Sequence, residues 1–187
     1  MSAARKRAIT LVLGGVHSGK SCYAQQLATS FDSVTFIATA RPSDAEMRRK
    51  IAAHRRERPR NWRTVEAPTS LAAVIHRESA SAQVILIDCL TTYLGNQLMD
   101  SRHRWREGKA ALADFDTEEV CHAIESANSS VIIVSNEVGS GIVPTFRSGR
   151  AYRDLLGDLN KLVARIADSV VLLVAGQPLT IKPERSR

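Results

Sequence analysis

Eight consecutive residues restrict the fold of this chain more than any others: Gly14, Gly15, Val16, His17, Ser18, Gly19, Lys20 and Ser21. They follow a short apolar run, Ala8 to Leu13, and open a stretch from Lys20 to Ser30 with helical spacing of its apolar residues. Strand, glycine loop, helix is the order in which backbone amides can turn inward around an anion while the helix adds the positive end of its dipole. The run matches G-x-x-x-x-G-K-[ST] at every fixed position. All eight residues are therefore expected at the phosphates of a purine nucleoside triphosphate. Lys20 would neutralise the β- and γ-phosphates, and the Ser21 hydroxyl would serve as a ligand of Mg²⁺.

The rest of the chain alternates strand and helix. Val34 to Ala38, Trp62 to Glu66, Gln83 to Asp88, Ser130 to Ser135 and Ser169 to Ala175 read as strands. Between them, helices are expected over Asp44 to Arg56, started by Ser43-Asp44 and ended by Pro59, and over Ser70 to Glu78, Thr91 to Met99, Ala113 to Ala127 and Tyr152 to Ala167. Asp100 to Gly108 reads as a loop and Pro183 to Arg187 as a short basic tail. This alternation specifies an α/β fold, a mostly parallel sheet with helices on both faces and ligands at the carboxyl ends of the strands. At 187 residues, 44% of them hydrophobic, one domain spanning the chain is the expectation.

Composition narrows the class. No uncharged apolar run approaches the roughly 18 residues of a membrane helix, and the N-terminal stretch lacks the form of a secretory signal, so a cytoplasmic protein is expected. Cys22, Cys89 and Cys121 have neither CxxC spacing nor a histidine at zinc-ligand distance, and are expected as reduced thiols. The net charge of +7 is concentrated between Arg41 and Arg63, where nine Lys or Arg face three acids. Such a block suits a polyanion or is a solvated helix face.

Three further features bear on chemistry. Asp88 ends an apolar strand, where a phosphate-loop protein takes its second metal-side acid; a helix N-cap is the alternative role. His54 stands among Arg55, Arg56 and Arg58, and is either a surface histidine or a phosphorus nucleophile kept neutral by its cationic neighbours. Finally, Ser135 to Pro144 leaves a buried strand at the ligand-bearing edge, where Asn136 and Glu137 could contact a substrate hydroxyl and Gly139 and Gly141 permit close backbone approach. An ordinary glycine loop is the alternative.

Taken in order, the phosphate loop, Phe36-Ile-Ala-Thr-Ala40, Ile51-Ala-Ala-His54 with Arg58-Pro59, Trp62-Arg-Thr-Val-Glu66, Asp88-Cys-Leu-Thr, Ser135 to Pro144, and Tyr152-Arg-Asp154 with Leu159-Asn160 resemble one family. It is the bifunctional adenosylcobinamide kinase and adenosylcobinamide-phosphate guanylyltransferase of cobalamin assembly. The resemblance runs from about Ile9 to Lys182. It implies a RecA-like P-loop fold, a homotrimer, and GTP or ATP, adenosylcobinamide and its phosphate as substrates. It also implies two reactions: γ-phosphate transfer to the aminopropanol hydroxyl, then GMP transfer from GTP through a guanylyl-histidine, which falls on His54. The family's nucleotide contacts fall on Gly14 to Ser21, on Ala38, Thr39 and Ala40, on Arg55, Arg56, Glu57 and Arg58, on Glu66 and on Asp88. The family's metal-side acid is often glutamate; Asp88 is one methylene shorter.

Two other classes compete. A P-loop kinase for a small metabolite would keep Lys20, Ser21 and Asp88 and leave His54 idle. A non-catalytic nucleotide- or nucleic-acid-binding module would use the arginine block, but with 5% aromatic residues the chain offers little for base stacking, and no nucleic-acid partner is expected.

Overall fold

Apolar, β-branched runs such as Val84-Ile-Leu-Ile87 have no polar face, so each strand they form must be covered on both sides. The computed structural model describes residues 6–42, 45–100 and 115–183, without the side chains of residues 46, 47, 50, 53, 54 and 57. In chain order its elements are β1 (Ile9–Gly14), α1 (Lys20–Ala28), β2 (Val34–Ala38), α2 (Ala45–Glu57), β3 (Arg63–Glu66), α3 (Leu71–Glu78), β4 (Val84–Asp88), α4 (Leu90–Asp100), α5 (Thr117–Ser126), β5 (Ser130–Asn136), α6 (Arg147–Ile166), β6 (Ser169–Val174) and β7 (Gln177–Lys182). One sheet holds all seven strands in the order β3-β2-β4-β5-β1-β6-β7, parallel except for β7.

Alternate residues along each strand divide the core in two. On one face Leu11, Ile37, Ile85, Ile87, Val131 and Ile133 meet the apolar stripes of α3, α4, α5 and α6. On the other, Val12, Phe36, Leu86, Ile132, Val134 and Leu173 meet α1 through Ala24 and Ala28, with Trp62 beside them. The expected two-sided α/β architecture is what forms. Buried polar groups fasten the helix-rich layer: Tyr93 Oη accepts from the Leu71 N–H at 3.1 Å and donates to Asp116 at 2.5 Å, joining α3, α4 and the start of α5.

The structure departs from the expected elements in identifiable places. β7 was not expected: Ala175 and Gly176 take positive φ values of 51° and 78° and fold the chain back into an antiparallel edge strand. Its alternation Leu179-Thr180-Ile181 is weak, since both apolar residues stay more than half exposed. Helix α6 begins five residues before Tyr152, at Arg147. Helix α5 starts at Thr117, and the expected residues Ala113 and Asp114 lie outside the described set, as do the Ser43-Asp44 cap, residues 101–108 of the expected loop and 184–187 of the tail. No helix among the described residues is long and apolar enough to cross a membrane.

Glu78 closes α3 in the core and anchors the edge strand. Its carboxylate accepts from Arg63 Nε on β3 at 2.7 Å and from Arg77 Nε at 2.8 Å. Burial, the largest influence, raises its pKa, but the two arginines outweigh it and hold the carboxyl below its ordinary 4.5. A carboxyl depressed on folding adds stability at pH values above the unfolded pKa and loses it as pH falls through the folded one. Glu78→Gln should therefore cost about 1–2 kcal/mol at neutral pH, the arginines being more than half exposed. Urea melts of the two proteins should converge as pH drops below about 4.

Candidate active site

The site is built where parallel strands stop. Across the carboxyl edge, Glu66 is paired with Ala38 and Ala38 with Asp88, while two residues farther along β5 Asn136 stands opposite Gly14. Since β5 lies between β1 and β4, the phosphate loop and Asp88 flank it, as ligand sites at the switch point of an open sheet require. A cavity of about 650 Å³ opens there, lined by Val16 to Cys22, Gln25, Asp88, Cys89 and Asn136.

The loop's shape needs its glycines at two points. A Cβ on Gly14 would lie 2.3 Å from Ser18 Oγ and 2.9 Å from the Leu173 carbonyl, so only glycine lets the loop close against β6. Gly19 has φ +92° immediately before α1, and a Cβ there would press on Gly176 at 3.3 Å. His17 also takes positive φ, 57°, at the exposed tip. Gly15, in contrast, has open space where a Cβ would be. The Gly176 N–H donates to the Ser18 carbonyl at 3.0 Å, so the β6–β7 turn is part of the cradle. Sequence reasoning missed it; the Ala175-Gly176 turn ahead of Gln177 to Lys182 was the available signal.

Lys20 Nζ donates to the Gly15 carbonyl at 2.9 Å, folded back on its own loop. Burial pushes its ammonium down from the ordinary value, while the charge of Asp88 pulls the other way. A partly desolvated cation beside an acid and a ring of amides is arranged for an anion. Arg58 is in the same condition: its guanidinium lies 3.5 Å from the centre of the Phe36 ring, burial lowers its pKa against the raising influence of Asp88, and its buried Nε has no hydrogen-bond partner. Arg58 immediately follows α2 and faces the cavity's acid, whereas Arg55 and Arg56 are exposed to solvent. His54 belongs to α2, one turn before Arg58; its side chain and that of Glu57 lie outside the described ones.

Other expected residues take supporting places. Thr39 is fully buried: its Oγ1 donates to the Cys89 carbonyl at 2.7 Å and accepts from the Cys89 N–H at 2.8 Å, and its carbonyl accepts from Asn96 Nδ2. Its side chain fixes the residue after Asp88 and does not line the cavity. Ala38 and Ala40 flank it half-buried, and Glu66 is exposed at the sheet's edge. Asp88 ends β4 as expected, with Cys89 between it and α4. Glu137 bends back to accept from the Gly139 N–H at 2.6 Å, closing the turn that Gly141 continues with an N–H to the Val138 carbonyl. Cys22, Cys89 and Cys121 are free thiols; burial raises the pKa of Cys89 and pushes Cys121 up to about 11, which keeps both protonated.

Among the described residues no group of three or more His, Cys, Asp or Glu side chains is placed to hold a metal, so a cation here would rely on Ser21, Asp88 and phosphate oxygens.

Comparison with known proteins agrees with this geometry. A solved ATPase of a bacterial type III secretion system shares the fold, with a TM-score of 0.55 at 9% identity over 88% of this chain and 50% of that one. A bifunctional adenosylcobalamin biosynthesis protein of Pseudomonas aeruginosa, CobP, is 39% identical over 93% of this chain and 97% of its own. The CobU protein of Escherichia coli, described in the same words, is 36% identical over 92% and 98%. The cobinamide kinase / cobinamide phosphate guanyltransferase model matches residues 10–181, and with these relatives it shows that this chain is an enzyme belonging to that family.

Proposed function

We propose that one nucleotide pocket on this chain serves two reactions, with GTP as the guanylyl donor and His54 as the nucleophile of the second. In the first, the aminopropanol hydroxyl of adenosylcobinamide attacks the γ-phosphorus, the bond to the β–γ bridging oxygen breaks, and the nucleoside diphosphate leaves. In the second, an imidazole nitrogen of His54 attacks the α-phosphorus of GTP and pyrophosphate leaves. The corrinoid phosphate then attacks the same phosphorus, the N–P bond breaks, and adenosylcobinamide-GDP is released. The observation that carries this reading is that Lys20 and Asp88 line one cavity at the carboxyl edge of the sheet while Arg58, from the element bearing His54, lies over Phe36 and, like Lys20, is partly desolvated and acted on by Asp88. One cation from the loop and one from the end of the helix bearing His54 give a triphosphate support at both ends.

Ser21 and Asp88 supply the hard oxygen donors that suit Mg²⁺ together with phosphate oxygens. When bound, the ion would neutralise charge on the bridging and terminal phosphates. Lys20 would exchange its bond to the Gly15 carbonyl for phosphate oxygens, and the amides of Gly15 to Ser21 would orient them. A cytoplasmic homotrimer is the assembly and location this reading carries.

A small-metabolite kinase without guanylyl transfer would leave His54 unlabelled, which gives a direct test. Incubation with α-labelled GTP and Mg²⁺ should leave acid-labile label on the protein, recovered on the His54 peptide and lost in His54→Ala. Label on the His17 peptide, or none at all, would defeat the nucleotidyl half. Chelation with EDTA should abolish labelling and phosphoryl transfer together. Removing the ring under Arg58 by Phe36→Leu should slow self-labelling about fivefold, as the loss of a cation–π contact of about 1 kcal/mol allows. The binding constant for GTP, read by fluorescence titration, should move less.

A further inference from the structure

Asn136 is held more closely than any substrate contact of an ordinary loop requires. Its N–H donates to Thr91 Oγ1 at 2.8 Å, and its carbonyl accepts from Asn160 Nδ2 at 2.9 Å. Both restraints trace to α6, because Tyr152 Oη donates to the Thr91 carbonyl at 2.9 Å and Asn160 sits on the same helix two turns later. The following residue adds a third restraint, the Glu137 N–H donating to the Gly14 carbonyl at 3.1 Å. Asn160 itself is 6% exposed and does not line the cavity.

The side chain that this clamp fixes lines the nucleotide cavity beside Lys20, Ser21 and Asp88, and its Oδ1 is buried without a hydrogen-bond partner. A buried amide oxygen is costly unless something donates to it. Phosphate oxygens are acceptors and cannot. Lys20 is engaged with the Gly15 carbonyl here and with phosphates once nucleotide is bound. Among the substrates of phosphoryl transfer, the group that brings a donor to this place is the attacking hydroxyl.

We propose that Asn160 is a positioning residue for phosphoryl transfer: through the Asn136 carbonyl it sets Asn136 Oδ1 to accept the hydrogen bond of the attacking hydroxyl. The proposal rests on the kinase half of the reading above. An amide cannot take the proton, so Asn136 orients the nucleophile, and the proton leaves with the transferred phosphate or to solvent as the new O–P bond forms and the β–γ bridge breaks. Guanylyl transfer has no hydroxyl nucleophile at either step, since imidazole and then a phosphate oxygen attack. The clamp should therefore separate the two reactions.

The test measures phosphoryl transfer to adenosylcobinamide and the rate of self-guanylylation with α-labelled GTP, on the full chain. Asn136→Ala should lower the phosphoryl-transfer kcat about 30-fold and Asn160→Ala about tenfold, with the KM for GTP within about twofold, magnitudes usual for lost orientation at a reacting group. Self-guanylylation by Asn160→Ala should stay within about twofold of the unsubstituted protein. The double variant should be no slower than Asn136→Ala alone, since Asn160 acts through Asn136. Asn160→Leu keeps the bulk while losing the donor, and should reproduce the loss if Asn160→Ala does not fold. Equal losses in both reactions, multiplying losses in the double variant, or an unchanged kcat in Asn160→Leu would each overturn the proposal. If the unsubstituted protein itself phosphorylates no corrinoid, the kinase reading fails instead; if it does and Asn160→Ala matches it, only the positioning role falls.

Discussion

Two backbone hydrogen bonds decide whether this chain has a phosphate site at all: Glu137 N–H to the Gly14 carbonyl and Gly176 N–H to the Ser18 carbonyl. They pin the loop at its entry to the end of β5 and near its exit to the β6–β7 turn. A loop of small residues has a large conformational entropy to lose, and amides that wander cannot hold an anion in a fixed pose. Pinning to two neighbouring strands removes that freedom before any ligand arrives. The glycines then follow as a consequence. Gly14 is squeezed between Ser18 Oγ and the Leu173 carbonyl, and Gly19 lies against Gly176, because the pinned loop leaves no room for a side chain at either place.

The same logic sets the sheet order. Strand β5 intervenes between the strand that feeds the loop and the strand that ends in Asp88, so the acid and the loop stand apart with Asn136 between them. The long helix α6 reaches the gap indirectly, through Tyr152 and Asn160, which ties a site residue to an element whose Leu155, Leu156, Leu159 and Val163 lie in the core. Rigidity in the site is borrowed from apolar packing several residues away.

What could be read in advance was what repeats with a period or carries a fixed spacing. The octapeptide, the apolar strands and Asp88 at a strand's end are local patterns, and each forms as the local pattern requires. Thr39 shows the limit. The resemblance implies a nucleotide contact there, and no local pattern tells that the fold buries the side chain and joins its hydroxyl to both backbone groups of Cys89, a partner 50 residues away. The clamp on Asn136 was illegible for the same reason, since Thr91 and Asn160 lie 45 and 24 residues from it in the chain. Strand β7 escaped on different grounds: an edge strand exposed on both faces has no burial pattern for the sequence to record.

The cations tell how one pocket can be shared. Lys20 and Arg58 are each partly desolvated, and in each case burial opposes the charge while Asp88 favours it. Lys20 donates to its own loop, and Arg58 lies over an aromatic face. In the proposed reading a triphosphate brings several formal charges and many acceptors to both cations, so the electrostatic benefit of binding is large. They differ in what fixes them. Lys20 is built into α1 behind a pinned loop, whereas Arg58 immediately follows the end of α2 and is held by the Phe36 ring, a contact with broad orientational tolerance. Lys20 is therefore fixed by more of the fold than Arg58, an asymmetry that suits the proposed pair of reactions, in which a hydroxyl is aligned for one and His54 is brought up for the other.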